Sequence, residues 1–354
     1  MKIKDLVRPD LLSMKSYTPI EPVDVLSRRV ELPLGRVVKL DGNENPYGCS
    51  PGVYAALACY SDYHIYPDPE QRDLRQALAQ YVGFDAKYIV CGSGSDDLID
   101  LVVRLFVSPG DEVINCPPTF GMYPFSTEIC GAKVINIDRD SQFVLDVPNV
   151  VRVLKNKGKV LFIASPNNPT GNLVSEQELI GILNTGKIVV VDEAYFEFSR
   201  VTVANLVHSY SNLIVLRTFS KWAGLAGLRV GYSISSPEVA DYLMKIKQPY
   251  NVNSAAKVAV LASLHDIDYL TANVQKIITE RARLFDKLEG LGWLKPYPSS
   301  ANFILCLVLP GQRARDTWLR LQQRGIAMRY FDNPRLKDYL RISVGNSDDT
   351  DAVI

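Results

Sequence analysis

The stretch Thr218-Phe-Ser-Lys221-Trp-Ala-Gly-Leu-Ala-Gly-Leu-Arg229-Val-Gly-Tyr232 decides how the chain is read. One lysine and one arginine lie there among hydroxyls, small residues and apolar side chains. The runs Leu213–Leu216 before it and Val230–Ile234 around its end have the length and character of buried strands, so Lys221 falls on a connection between two core strands. Such connections carry chemistry. A lone lysine on a loop is ordinarily just solvated, so the meaning of Lys221 depends on what the rest of the chain brings near it.

Working outward, five further apolar runs precede this stretch: Tyr88–Cys91, Val113–Cys116, Val134–Ile137, Val160–Ala164 and Ile188–Val191. Helical stretches separate them. Strands alternating with helices predict an α/β fold with a mostly parallel seven-stranded sheet covered on both faces. Upstream, Leu74, Leu78 and Tyr81 share one helical face. The pattern changes near residue 240. Helices are expected over 238–247 and 255–265. A longer one follows, with Leu270, Val274, Ile277, Ile278, Arg281, Leu284 and Phe285 at helical spacing. The runs Phe303–Val308 and Leu340–Val344 then flank a helix near 313–324. The expected organisation is an N-terminal arm over 1–35 packing with the small domain, a large domain over 36–248, and a smaller α+β domain over 249–354.

The bulk numbers exclude several classes. The chain has 354 residues, 47% hydrophobic and 22% charged, with 39 basic and 39 acidic residues balancing to zero. That is ordinary globular usage, with no electrostatic footprint for nucleic acid or a membrane surface. No stretch approaches the ~20 apolar residues of a membrane span. The start, Met-Lys-Ile-Lys-Asp, carries charge where a secretory signal has its apolar run, so a cytoplasmic enzyme is expected. The six cysteines form no Cys-x-x-Cys and read as reduced thiols. His64, His208 and His265 have no ligand spacing, so no metal is expected.

Several polar stretches sit at strand ends. Gly92-Ser-Gly94-Ser95-Asp96-Asp97 follows a strand and opens a helix, whose free N–H groups suit an anion; a capped strand–helix turn is the plainer alternative. Ser165-Pro-Asn-Asn168-Pro-Thr-Gly171 is a rigid polar loop where α/β sheets bind ligands, or an ordinary turn. Asp192 ends the most hydrophobic strand, where a carboxylate needs a partner, or caps a helix; Tyr195 lies three residues on. Asp41-Gly-Asn43-Glu-Asn-Pro46-Tyr-Gly48 reads on its own as a surface turn. Tyr66-Pro-Asp-Pro-Glu70 is stiff and presents a tyrosine. Together these residue types match pyridoxal phosphate. It needs a lysine amine at its aldehyde carbon, a carboxylate at its ring nitrogen, donors to its phenolic oxygen, a flat neighbour and an anion site.

The chain resembles the fold-type-I pyridoxal-phosphate aminotransferases. The resemblance runs over nearly the whole length, through Asn43-Glu-Asn-Pro46, Tyr66-Pro-Asp-Pro69, Gly94-Ser-Asp96, Pro117-Pro-Thr-Phe120-Gly-Met-Tyr123, Ser165 to Gly171, Asp192-Glu-Ala-Tyr195, Ser220-Lys221, Ala226-Gly-Leu-Arg229 and Leu340-Arg341-Ile-Ser-Val-Gly345. The Asn-Glu-Asn-Pro and Pro-Pro-Thr-Phe-Gly-Met-Tyr stretches are similar to the histidinol-phosphate branch. The resemblance implies that Lys221 bonds the cofactor and moves the substrate proton, Asp192 pairs with the ring nitrogen, and Tyr195 and Asn168 hold the phenolic oxygen. It also implies that Phe120 stacks on the ring and that Ser95, Asp96, Ser220 and Arg229 hold the phosphate. Tyr66 would reach that phosphate from a neighbouring subunit, which implies a homodimer. Arg341 would take the anionic end of the substrate, with Arg329, Tyr17 and Asn43 as further substrate contacts. The implied reaction is amino transfer from histidinol phosphate to 2-oxoglutarate. Transamination of aromatic or varied amino acids, threonine-phosphate decarboxylation and a non-enzymatic cofactor-binding regulator are the alternatives.

Overall fold

The computed structural model describes residues 2–14 and 16–354, so Met1 and Lys15 of the expected arm lie outside it. Among the described residues the chain forms twelve strands: β1 (Val38–Leu40), β2 (Ile89–Gly92), β3 (Glu112–Asn115), β4 (Lys133–Asn136), β5 (Gly158–Ala164), β6 (Ile188–Asp192), β7 (Leu213–Thr218), β8 (Gly231–Ser235), β9 (Leu294–Pro296), β10 (Phe303–Val308), β11 (Ile326–Tyr330) and β12 (Tyr339–Ser343). Seven make one sheet in the order β2-β8-β7-β6-β5-β3-β4. All neighbours pair in parallel except those involving β8, which runs against both β2 and β7. The seven expected strands are all present.

Burial on both faces makes these strands almost continuously apolar. On one face Leu161, Ile163, Val189, Val191, Leu213 and Val215 join a core that extends to the second sheet. On the other, Val160, Phe162, Val190, Ile214 and Leu216 pack with Leu98, Ile99, Val102 and Val103 of the helix Ser95–Phe106 and with Leu243 of Pro237–Ile246. The helix Arg72–Val82 buries Leu74 and Leu78 as expected, and Tyr81 stacks on Trp222 with ring centroids 5.6 Å apart.

The second sheet has five strands in the order β1-β11-β12-β10-β9. Here the structure departs from the expected boundaries. Val38–Leu40, assigned by the sequence reading to the large domain, pairs in parallel with β11 of this second sheet. A three-residue run has too little pattern to show which sheet will recruit it. The arm also divides. Arg29 donates to Gln322 of the second unit, whereas Tyr17 meets Phe125 of the helix Met122–Ile129 edge-on, beside the seven-stranded sheet. The helix Ser254–His265, beyond the expected boundary at 248, packs against Pro51–Cys59 and Arg72–Val82.

A buried ion pair ties the ends of β6 and β7. Arg217 donates to Glu193 at 2.9–3.0 Å, both side chains at least 95% buried, and its guanidinium lies 3.7 Å from the centre of the Phe196 ring. Thr202 and the Val203 N–H satisfy the rest of the Glu193 carboxylate. Removing one partner strands a charge, so Arg217→Ala is expected to lower unfolding free energy by about 3–5 kcal/mol in a denaturant titration. A loss below about 1 kcal/mol, the range of an exposed pair, would contradict this account of the strand ends.

Candidate active site

The carboxyl ends of β2, β3, β5, β6 and β7 and the start of β8 meet at one edge of the large sheet, the position where open α/β sheets bind ligands. A cavity of about 1030 Å³ opens there, between this edge and β11–β12 of the second sheet. Lys221, Asp192, Tyr195, Asn168, Phe120, Ser95, Asp96, Ser220, Arg229, Arg341, Arg329, Tyr17 and Asn43 all line it. Tyr66 does not: it is 77% exposed and stacks on Tyr250, with centroids 4.4 Å apart.

Asp192 is buried at the end of β6. Its carboxylate accepts from the Tyr123 hydroxyl at 2.7 Å and from the Ala194 N–H at 3.0 Å. Burial raises its pKa to about 6 in spite of those two bonds. Both partners are neutral, so a protonated ring nitrogen would find its counter-charge here. Tyr123 ends the Pro117–Tyr123 motif, which by itself assigns it no role. Nothing in its neighbours forecasts that the helix after β3 turns it towards β6.

Lys221 donates to the Gly42 carbonyl at 3.1 Å. Burial, followed by the nearby Arg341 guanidinium, lowers its pKa to about 8. Asn43 and Asn45 are buried too, and Asp41, Gly42 and Asn43 line the cavity, so the stretch is not the surface turn its composition suggests. Asn45 donates to the Trp222 carbonyl at 2.7 Å, beside Lys221.

The helix Ser95–Phe106 opens at Gly94, whose φ is +82°. A Cβ at Gly94 would lie 2.5 Å from Arg229 Nη2, and one at Gly231 would lie 2.8 Å from the Ser95 nitrogen. The cradle is therefore open only because both positions are glycine. Arg229 itself has φ of +55° and reaches Asp96 at 2.9 Å. Thr218 Oγ1 donates to Ser220 Oγ at 2.9 Å and accepts from the Ser220 N–H. This donor set fits a phosphate, and the whole constellation fits pyridoxal phosphate: an amine of lowered pKa, a buried carboxylate, a ring at Phe120 and a helix start.

Opposite lie the arginines. Arg341 of β12 is buried, donates to Asn168 Oδ1 at 2.7 Å and to the Asp41 carbonyl, and keeps its Nε without a partner. An arginine only donates, so Asn168 must turn its carbonyl to Arg341 and its NH₂ elsewhere. Arg329 of β11 is the direct cross-strand partner of Arg341 and donates to the Thr18 and Pro19 carbonyls. Arg335, which the sequence reading passed over, also lines the cavity and pairs with Asp138 at 3.2 Å. Its loop, Asp332-Asn-Pro-Arg335, carries no local signal of that distant partner. Asn43 lines the wall, but its amide is committed to Tyr195 and Ser343.

The lowered pKa of Lys221 can be checked on the protein without cofactor. Amine-reactive labelling of Lys221 against pH, read by peptide mass spectrometry, is expected to reach half its plateau near pH 8. Removing a neighbouring cation favours the charged amine, so Arg341→Leu is expected to move that midpoint upward. A midpoint in the ordinary lysine range for both forms would contradict the electrostatic picture.

Residues 35–354 match the family model described as aminotransferase class I and II. The chain is 47% identical over 352 residues to the histidinol-phosphate aminotransferase of Dehalococcoides mccartyi, covering 99% of this chain and 97% of that one. It is 48% identical over 360 residues to the enzyme of the same name from Roseiflexus castenholzii, again covering 99% and 97%. Among solved structures, histidinol-phosphate aminotransferase from Sinorhizobium meliloti, in complex with pyridoxal-5'-phosphate, superposes with a TM-score of 0.89 at 27% identity, covering 98% of this chain and 95% of that one. With its sheet order, its strand-end site and these matches together, the chain belongs to the class I and II aminotransferases.

Proposed function

We propose that this protein is a pyridoxal-phosphate-dependent histidinol-phosphate aminotransferase. It moves an amino group from histidinol phosphate to 2-oxoglutarate in histidine biosynthesis and gives imidazole-acetol phosphate and glutamate. The relatives of that name at 47% and 48% identity support the reading. The observation in the site that carries it is the Arg329–Arg341 pair. Two like charges directly opposite each other on paired strands repel, and a bound anion relieves them. Both reach neutral carbonyl oxygens of the protein, which leaves their charge for a ligand.

Pyridoxal phosphate, when bound, supplies an aldehyde carbon for amine exchange and a ring that accepts electrons. The chain's own residues do the rest. Lys221, with its lowered pKa, has a neutral amine available near neutral pH, and its Nζ takes and returns the proton of the substrate carbon. Asp192 holds the ring nitrogen in its protonated form. The Asn168 NH₂ and the Tyr195 hydroxyl donate to the phenolic oxygen, and Phe120 covers the ring. Ser95, Asp96, Ser220 and Arg229 form the phosphate cradle. Arg341 grips the α-carboxylate of glutamate or the phosphate of histidinol phosphate, Arg329 is the second clamp, and Tyr17 closes the same side. Binding through the remote anion orients the amine over Lys221.

We further propose a cytoplasmic homodimer in which Tyr66 completes the phosphate site of the partner. Tyr66 lies outside its own chain's cavity, exposed and stacked on the exposed Tyr250. Sedimentation is expected to give twice the chain mass. Tyr66→Phe is expected to weaken cofactor binding roughly 10-fold to 100-fold, the loss of one hydrogen bond to a charged group. A monomer that binds the cofactor tightly would contradict this arrangement.

The substrate reading is tested by mixing the holoenzyme separately with histidinol phosphate, threonine phosphate and phenylalanine while following the visible absorption of the cofactor. Histidinol phosphate is expected to convert it. Conversion by phenylalanine alone would make the protein an aromatic aminotransferase, and carbon dioxide from threonine phosphate would make it a decarboxylase. Lys221→Ala is expected to abolish turnover. Arg329→Gln is expected to raise KM for histidinol phosphate by roughly 10-fold to 100-fold, the value of one charged hydrogen bond.

A further inference from the structure

Asn43 is buried and has φ of +53°, in the left-handed region that asparagine tolerates better than most residues. Its polar groups are spent inside the protein. Its N–H donates to Ser343 Oγ at 2.9 Å, Ser343 Oγ donates to its Oδ1 at 2.9 Å, and its carbonyl accepts from Asn302 Nδ2 at 2.9 Å. Its Nδ2 donates to the Tyr195 hydroxyl oxygen at 3.0 Å. Ser343 lies two residues beyond Arg341 on the same strand. A hydrogen-bond chain therefore runs from the strand of the anion clamp, through Asn43, to the phenol at the end of β6.

We propose that Asn43 is a positioning residue for Tyr195: its amide occupies a lone pair of the phenol oxygen and turns the phenol O–H into the cavity, towards the phenolic oxygen of the cofactor. The sequence reading grouped Asn43 with the substrate contacts; the geometry points to a role through Tyr195 instead. This inference rests on the reading of Tyr195 as a donor to the cofactor. Donation into the phenol oxygen polarises it, and hydrogen bonds in a chain strengthen one another. A better donor at the phenolic oxygen stabilises the deprotonated form of the lysine-bound cofactor. Weakening that donor therefore moves the protonation midpoint of the cofactor upward. The charged and titratable groups facing Tyr195 are Arg341, Asp192 and Tyr17, and the substitutions below leave all three in place.

The test is a pH titration of the visible absorption band of the holoenzyme, without substrate. Asn43→Gly is the informative variant, because glycine keeps the left-handed backbone and its bonds to Ser343 and Asn302 while removing the amide. An upward shift of roughly half to one pH unit is expected, the scale of one hydrogen bond. Asn43→Asp presents only acceptors to Tyr195, draws the phenol proton away, and is expected to reach the midpoint of Tyr195→Phe. In a Tyr195→Phe background, Asn43→Gly is expected to add nothing. If Tyr195→Phe raises the midpoint and Asn43→Gly leaves it unmoved, Asn43 does not position Tyr195. A KM increase alone in that variant would return Asn43 to the substrate contacts. An Asn43→Asp midpoint equal to the wild type would show the amide facing the other way and overturn the proposal. If Tyr195→Phe itself moves nothing, the reading of Tyr195 fails, and this inference fails with it.

Discussion

A carboxylate at the end of a buried strand is the constraint on which this site depends. Asp192 is out of water, and its two hydrogen-bond partners, Tyr123 and the Ala194 N–H, are neutral. A buried negative charge without a cation is costly. The structure limits that cost by polar contacts and a raised pKa, and a protonated ring nitrogen would remove it. Lys221, on the loop after the adjacent strand, has the complementary problem. It is a cation in a low-dielectric cavity beside another cation, and its pKa falls. Two charges shifted towards neutrality from opposite sides make a site ready for a polar aromatic ligand.

Holding those groups in place falls to interactions below and beside the cavity. The Arg217–Glu193 pair joins β7 to β6 one residue from Asp192 and four residues from Lys221. Asn167, fully buried, donates to Pro118 and Thr170 and accepts from Thr119, which ties the loop after β3 to the loop after β5. Arg341 spans the two sheets by donating to Asn168 and to Asp41. Through that bond Arg341 also sets which end of the Asn168 amide faces the cavity. The groups proposed to grip substrate and those proposed to grip cofactor are thus mechanically linked.

Much of this was legible in the chain. Seven apolar runs of strand length, alternating with helical periodicity, specify the large sheet, because burial on both faces leaves few other solutions for Ile188–Val191 or Val160–Ala164. The Gly92–Asp97 turn and the other polar residues at strand ends marked the cavity edge. What escaped was non-local. Val38–Leu40 pairs with Ile326–Tyr330, and Ile326–Tyr330 with β12, by choices that short strands do not announce. The burial of Asn43 and Asn45 ran against their composition, which alone describes a surface turn. The bonds from Tyr123 to Asp192 and from Arg335 to Asp138 link residues 69 and 197 positions apart, a distance over which local pattern carries no signal.

The central claim, that Lys221 is the lysine that bonds the cofactor, has a direct chemical test. Borohydride reduction of the holoenzyme fixes the cofactor irreversibly to its lysine, and digestion with mass spectrometry locates it. The account predicts a single pyridoxyl-phosphate modification on the peptide containing Lys221. The nearby Lys39 is held by Asp41 and Glu44 and should carry none. Modification at Lys39 or any other lysine, or no modification of a protein that binds the cofactor, would contradict it.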